Sequence, residues 1–74
     1  MQRPMKRQPV VSSSLRSVGY DEASRTLEIE FRSGAVYRYY EVPPEVYREL
    51  MEAPSKGRCF QGAIRDNYRY AKVA

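Results

Sequence analysis

The chain has 74 residues, 42% of them hydrophobic and 30% charged, a size that holds one small domain. This charge content excludes an integral membrane protein, and 13 Lys and Arg against 9 Asp and Glu give a net charge of +4 that favours acidic partners. With no histidine and one cysteine, the sequence has no residues for a zinc site or a Ser-His triad, so we expect no enzyme, metal or cofactor.

The N-terminal part predicts a tail followed by a sheet. Residues 1–13 contain two prolines and no hydrophobic periodicity, so we predict a disordered basic tail before a single domain over residues 14–74. Segments 15–21, 26–32 and 35–42 are rich in β-branched and aromatic residues and predict three consecutive strands. In the second strand, Leu27, Ile29 and Phe31 alternate with polar residues, which indicates one buried face.

The connection between the second and third strands predicts their register. Residues 32–34 suit a three-residue hairpin loop in which Gly34 takes the left-handed conformation. Ile29 then lies opposite Tyr37, and Arg38 points away from the core. A two-residue loop would instead place the Arg38 guanidinium in the core, where an unpaired charge is costly.

The remaining segments predict two helices and a return strand. Pro44 suits the first turn of a helix over residues 44–53, Pro54 ends that helix, and Ser55 can cap a second one. Residues 68–73 read as a short strand. The predicted fold class is α+β, with a small antiparallel three-stranded meander followed by two helices and a short C-terminal strand (β-β-β-α-α-β).

Five segments taken together resemble the KTSC family, a small domain named for the C-terminus of some lysyl-tRNA synthetases. They are Val18-Gly19-Tyr20-Asp21, Leu27-x-Ile29-x-Phe31-x-Ser33-Gly34, Val36-Tyr37-x-Tyr39, Val42-Pro43 and Ser55-x-Gly57-x-x-Phe60-x-x-x-Ile64-Arg65-x-x-Tyr68. The chain is similar mostly to stand-alone bacterial and phage members. Gln61 stands where this family tends to carry Asn, which alters any polar contact made there. The resemblance implies RNA binding, suggested for the family from its attachment to a synthetase.

A basic cluster near the C-terminus predicts a nucleic-acid site. Residues 54–74 hold five basic residues against a single acidic residue, Asp66, and tyrosines are interleaved with them. The predicted nucleic-acid-binding residues are Lys56, Arg58, Arg65, Arg69 and Tyr70. Lys56 and Arg58 lie at the start of the second helix, where cations are unfavourable unless an anion is bound, so they suggest a phosphate site near Gly57. The alternative is that both long side chains bend into solvent and Gly57 only permits close packing.

The exposed face of the sheet offers a second interpretation. Val36, Arg38 and Tyr40 are expected to point outward beside Glu28 and Glu30, an acidic surround that repels phosphate and suits a protein partner. We expect these two carboxylates to be solvated surface rather than an acid–base pair.

The chain is therefore expected to be a cytoplasmic binding module with no membrane partner. Cys59 forms no intramolecular disulfide and is either a small core residue or a reactive thiol, and no apolar run of signal-peptide length follows the basic N-terminus. The expected ligand is RNA or another nucleic acid; the alternative is a protein-binding adaptor or regulator of the transcription or translation machinery.

Overall fold

The computed structural model describes residues 5–74, which form an antiparallel sheet of five strands and two helices. The strands are β1 (Arg7–Pro9), β2 (Leu15–Asp21), β3 (Thr26–Phe31), β4 (Val36–Tyr39) and β5 (Tyr70–Lys72), in the spatial order β1-β2-β3-β4-β5. The helices are α1 (Pro44–Glu52) and α2 (Lys56–Cys59), and α2 continues as a π-helix over Phe60–Ile64. The α+β class is confirmed. Within the described residues, no helix combines the length and the apolar character that crossing a membrane requires.

The prediction of three strands before the helices is wrong, because β1 adds a fourth. β1 pairs with β2, with Arg7 opposite Gly19 and Pro9 opposite Ser17. It lies within residues 1–13, which the sequence predicts to be a disordered tail; residues 1–4 of that segment lie outside the described residues. A proline is tolerated in β1 because the strand is at the edge of the sheet.

The predicted hairpin between β3 and β4 is confirmed. Leu27 lies opposite Tyr39 and Ile29 opposite Tyr37. Gly34 has a φ of 97°, in the left-handed region, and its N–H donates to the carbonyl of Phe31 at 2.9 Å. This turn chemistry places both tyrosines of β4 on the same side of the sheet as the apolar residues of β3.

The helices cover that side of the sheet and enclose the core. Leu27 and Ile29 of β3 and Leu50 of α1 are fully buried together with Ile64 of the π-helix. Burial of such side chains contributes roughly 1.5–3 kcal/mol each, so these contacts are what hold the helices on the sheet. Phe31 is only half-buried, beside a cleft that leads out of the core.

A second contact fixes the end of the sheet to α1. The rings of Tyr20 and Tyr47 stack with their centroids 4.7 Å apart and an interplanar angle of 8°, and the Tyr20 hydroxyl donates to the carbonyl of Val42. Both tyrosines thus serve structural roles.

Candidate nucleic-acid interface

A cleft of about 360 Å³ lies between the β4–β5 edge of the sheet and the C-terminal end of the π-helix. Five aromatic rings and two charged side chains line it: Phe31, Tyr37, Tyr39, Phe60, Tyr70, Arg65 and Asp66. The tyrosines meet here because Tyr70 pairs with Tyr39 across the two strands, and alternation places Tyr37 on the same face.

The aromatic rings pack against one another, and Tyr70 is the most exposed of them. Tyr39 is only 4% exposed, and Phe60 meets it and Phe31 edge-on, with centroid distances of 5.5 and 5.3 Å. Tyr70 tilts against Tyr37 and Tyr39 at 5.9 and 5.7 Å and remains 59% exposed. A planar group can therefore stack on Tyr70 while the rings beneath it stay packed.

The cleft is polar as well as aromatic. Burial raises the pKa of the Tyr39 hydroxyl to about 12, the neighbouring Tyr37 and Tyr70 add to the rise, and the Arg65 guanidinium partly opposes it. The Tyr39 hydroxyl is therefore protonated at neutral pH, and the positive charge of Arg65 acts on the cleft.

A π-helical turn brings the charged residues to the cleft. The N–H of Arg65 donates to the carbonyl of Phe60 at 2.9 Å, five residues earlier, so the turn contains one residue more than an α-helical turn. Phe60 and Ile64 both remain buried, while Arg65 and Asp66 line the cleft. The sequence predicts a regular helix here, because helical spacing of apolar residues does not distinguish an α-turn from a single wide turn.

A second groove, of about 350 Å³, adjoins Tyr70 on the other side and is lined by Tyr40, Arg69 and Tyr70. The Arg69 guanidinium lies 5.9 Å from the centroid of the Tyr40 ring, and the Tyr40 N–H donates to the Arg69 carbonyl at 2.9 Å. Arg69 is also 4.0 Å from the carboxylate of Glu41, but both side chains are largely exposed, so this ion pair is weak.

Of the predicted nucleic-acid-binding residues, the structure brings Arg65, Arg69 and Tyr70 together. Lys56 and Arg58 are absent from the linings of these two grooves. The ammonium of Lys56 donates to the carbonyl of Ala53 at 3.1 Å, beyond the end of α1. Lys56, one of the two cations predicted to bind a phosphate at this helix start, therefore makes a contact within the protein instead.

The start of α2 is also closely packed. Ser55 caps it as predicted, accepting a hydrogen bond from the Arg58 N–H at 3.4 Å. A Cβ atom on Gly57 would lie 2.7 Å from the Ser14 hydroxyl, so the glycine permits close packing of the helix against the beginning of β2.

The other face of the sheet is less exposed than the sequence predicts. Val36, Arg38 and Tyr40 are expected from the sequence to form an outward-facing surface. Val36 is only 6% exposed and the Arg38 side chain 12%, so two of these three residues offer little surface to a partner. The expectation that Glu28 is solvated is wrong. Glu28 is buried between two arginines, accepting from Arg7 at 2.5 Å and from Arg38 at 2.7 Å.

Gly19 makes the contact between β1 and Glu28 possible. Arg7 lies opposite Gly19 on β2, and Glu28 lies opposite Gly19 on β3. A Cβ on Gly19 would be 3.0 Å from the Cγ of Arg7 and 2.8 Å from the Lys6 carbonyl oxygen. The arginine therefore crosses β2 above a residue without a side chain.

The described residues offer little for other chemistry. No group of three or more His, Cys, Asp or Glu side chains among residues 5–74 could hold a metal ion. Burial raises the pKa of the Cys59 thiol, and the side chain packs against the core, which favours the structural interpretation of this cysteine.

Comparisons with known proteins identify relatives of two kinds. The profile of the KTSC domain matches residues 11–68. An uncharacterized protein of Stutzerimonas stutzeri is 53% identical over 70 residues, covering 93% of this chain and 99% of that protein. A lysine–tRNA ligase of Nostoc punctiforme is 39% identical over 62 residues, which are 84% of this chain and 11% of the ligase. The crystal structure of a KTSC domain protein from Yersinia pestis is 44% identical, with a TM-score of 0.92, and the match covers 96% of this chain and 100% of that one.

Proposed function

Because the chain belongs to the KTSC domain family, whose relatives here include a free-standing protein and a segment of a lysine–tRNA ligase, we propose that it is a small binding module for RNA or another nucleic acid. The ligand site is the cleft that contains Tyr70 and Arg65, together with Arg69. Binding requires no catalysis.

The observation that carries the proposal is the exposed ring of Tyr70 between two arginines. A base can stack on an aromatic ring whatever its sequence identity, and arginine binds the phosphates that flank it. Tyr70 supplies the ring, while Arg65 lines the groove on one side of it and Arg69 the groove on the other. The basic surplus of residues 54–74 adds long-range attraction for a polyanion.

Three groups that could suggest catalysis are occupied by structural contacts. Glu28 is paired with two arginines, and Glu30 accepts a hydrogen bond from Ser17 at 2.8 Å. Cys59 has a raised pKa and is a poor nucleophile at neutral pH. These contacts support a module that binds without reacting.

A protein partner on the opposite sheet face has less support. That alternative needs Val36 and Arg38 at the surface, and both side chains are largely buried. Tyr40 is the remaining member of the set, and it lies beside Arg69 in the groove next to Tyr70. The same residue therefore fits the nucleic-acid interpretation.

The test is an NMR titration with a single-stranded RNA octanucleotide of mixed sequence, at low and at physiological salt. We expect the amide shifts to concentrate at residues 37–40 and 65–72 and the affinity to fall as salt rises. Arg65→Ala should weaken binding and reduce the salt slope by about one.

Arg48→Ala is the matched control, because Arg48 of α1 lines a different groove, beside Tyr20 and Tyr47. It removes the same charge from the chain and should change affinity far less than Arg65→Ala. Equal losses for the two variants would mean that only net charge matters. Absence of amide shifts at low salt would contradict the proposal.

A further inference from the structure

Two shared tyrosines connect three grooves into one path around the edge of the sheet. The cleft beside the π-helix shares Tyr70 with the second groove, and the second groove shares Tyr40 with a third one of about 400 Å³. The third groove lies on the opposite face, where Ser24, Thr26 and Arg38 form part of its lining. The path therefore runs from one face of the sheet to the other.

Strand alternation explains why the path changes face at this point. Tyr70 lies opposite Tyr39, with its ring on the helix-covered side. Arg69 and Tyr40 are the chain neighbours of this pair, and the Tyr40 N–H donates to the Arg69 carbonyl. Their side chains consequently belong to the other face, where the guanidinium lies over the ring. The exposed ring of Tyr70 and the half-buried ring of Tyr40 are thus separated by one cation.

This arrangement matches the repeat of a single-stranded nucleic acid, in which flat bases alternate with phosphates. Resting on the function proposed above, we propose that two consecutive nucleotides bind around this edge. One base stacks on Tyr70 in the cleft, the next stacks on Tyr40, and the phosphate between them binds Arg69. A duplex does not fit, because its paired bases cannot separate to opposite faces of a sheet.

The present contacts of Arg69 allow this rearrangement. Its side chain is 78% exposed, and its 4.0 Å contact with Glu41 is weak. An incoming phosphate offers a stronger, charge-assisted partner, and moving the guanidinium toward it uncovers the Tyr40 ring. Removing the competing carboxylate with Glu41→Gln should therefore strengthen binding severalfold.

The experiment measures affinity for uridine 5′-monophosphate, for oligouridylates of two to six nucleotides and for an RNA duplex. We expect a sharp gain between one and two nucleotides, of roughly 5- to 100-fold for the added stack, and weak binding of the duplex. Longer oligomers should add a smaller, salt-dependent gain.

Variants assign each base to its ring. Tyr40→Leu retains apolar bulk without a stacking ring, so it should abolish the gain at the second nucleotide and leave the monophosphate unaffected. Tyr70→Leu should lower the affinity for every ligand tested. Thermal unfolding of both variants establishes that they are folded before their affinities are compared.

The outcomes separate the two proposals. If no oligonucleotide binds at low salt, the proposed function fails and this inference fails with it. If single strands bind but Tyr40→Leu has no effect, or if the duplex binds equally well, the function stands and the two-nucleotide path is wrong.

Discussion

Neutralising Glu28 should destabilise the domain more than neutralising Glu30, the other carboxylate of β3. Glu28 belongs to a row of residues that lie opposite one another on neighbouring strands of the sheet. It accepts hydrogen bonds from Arg7 of β1 and Arg38 of β4. Its side chain is 5% exposed, against 12% for Arg38 and 30% for Arg7. Glu28→Gln keeps the shape of the side chain and removes the charge that both arginines contact.

The expected cost follows from those exposures. A hydrogen bond to a charged group contributes about 1.5–3 kcal/mol, and the more exposed Arg7 contact belongs at the lower end of this range because solvent screens it. Glutamine retains one acceptor, so we expect a loss of about 2–4 kcal/mol in the free energy of unfolding. A domain of this size has on the order of 3–5 kcal/mol in total, so the variant should lose more than half of its stability and unfold at a much lower urea concentration.

The assay is urea denaturation followed by circular dichroism. Glu30→Gln is the matched control: it removes the same charge from the same strand, but Glu30 accepts from the neutral Ser17 hydroxyl and should cost about 1 kcal/mol or less. If both variants unfold within about 0.5 kcal/mol of each other, the two arginine contacts do not stabilise the fold and the reasoning is refuted.

Three further predictions test other contacts. Gly19→Ala places a Cβ 2.8 Å from the Lys6 carbonyl and should displace β1, so cross-strand NOEs between residues 7–9 and 17–19 should disappear while those between β2 and β3 remain; unchanged NOEs would contradict the packing. Because the folded pKa of Tyr39 is raised from 10.0 to about 12, the unfolded chain releases this proton first, and stability should fall as pH rises from 10 to 12. Tyr39→Phe should make that fall shallower in urea melts, and an identical slope would argue against the shift. Cys59 has a raised pKa and is partly buried, so iodoacetamide should modify it slowly at pH 7.5 unless urea is present, and modification at the rate of free cysteine would show an open thiol.

The sequence predicts the parts of this fold that depend on neighbouring residues. The β3–β4 register follows from a loop in which Gly34 adopts a positive φ, and the helix boundaries follow from Pro44 and Ser55. In each case the signal is a turn or cap whose chemistry acts within a few residues.

Features that depend on distant partners are missed. β1 has three residues with no alternation, and its partners are distant in sequence: it pairs with β2, and Arg7 reaches Glu28 on β3. One signal was present in the sequence: a glycine inside an otherwise regular strand, Gly19, indicates the close approach of another chain segment.

The residues of the candidate site follow the same distinction between near and distant neighbours in the sequence. Arg65, Arg69 and Tyr70 are close together in the sequence and line adjoining grooves, so a basic and aromatic cluster indicates them. Composition does not reveal that the Lys56 ammonium binds the Ala53 carbonyl, since a charge pattern contains no information on which side chains fold back onto the protein.

The order of the strands has a consequence for how the domain assembles. Strands β1 to β4 are joined by short connections, so hairpins between close neighbours can build them, whereas residues 40–69 separate β4 from β5. Closing that long loop costs chain entropy before any pairing is gained, which makes β5 the last strand expected to dock. The strand that completes the aromatic cleft is thus a three-residue edge strand, and a ligand that holds Tyr70 in place would oppose its local opening.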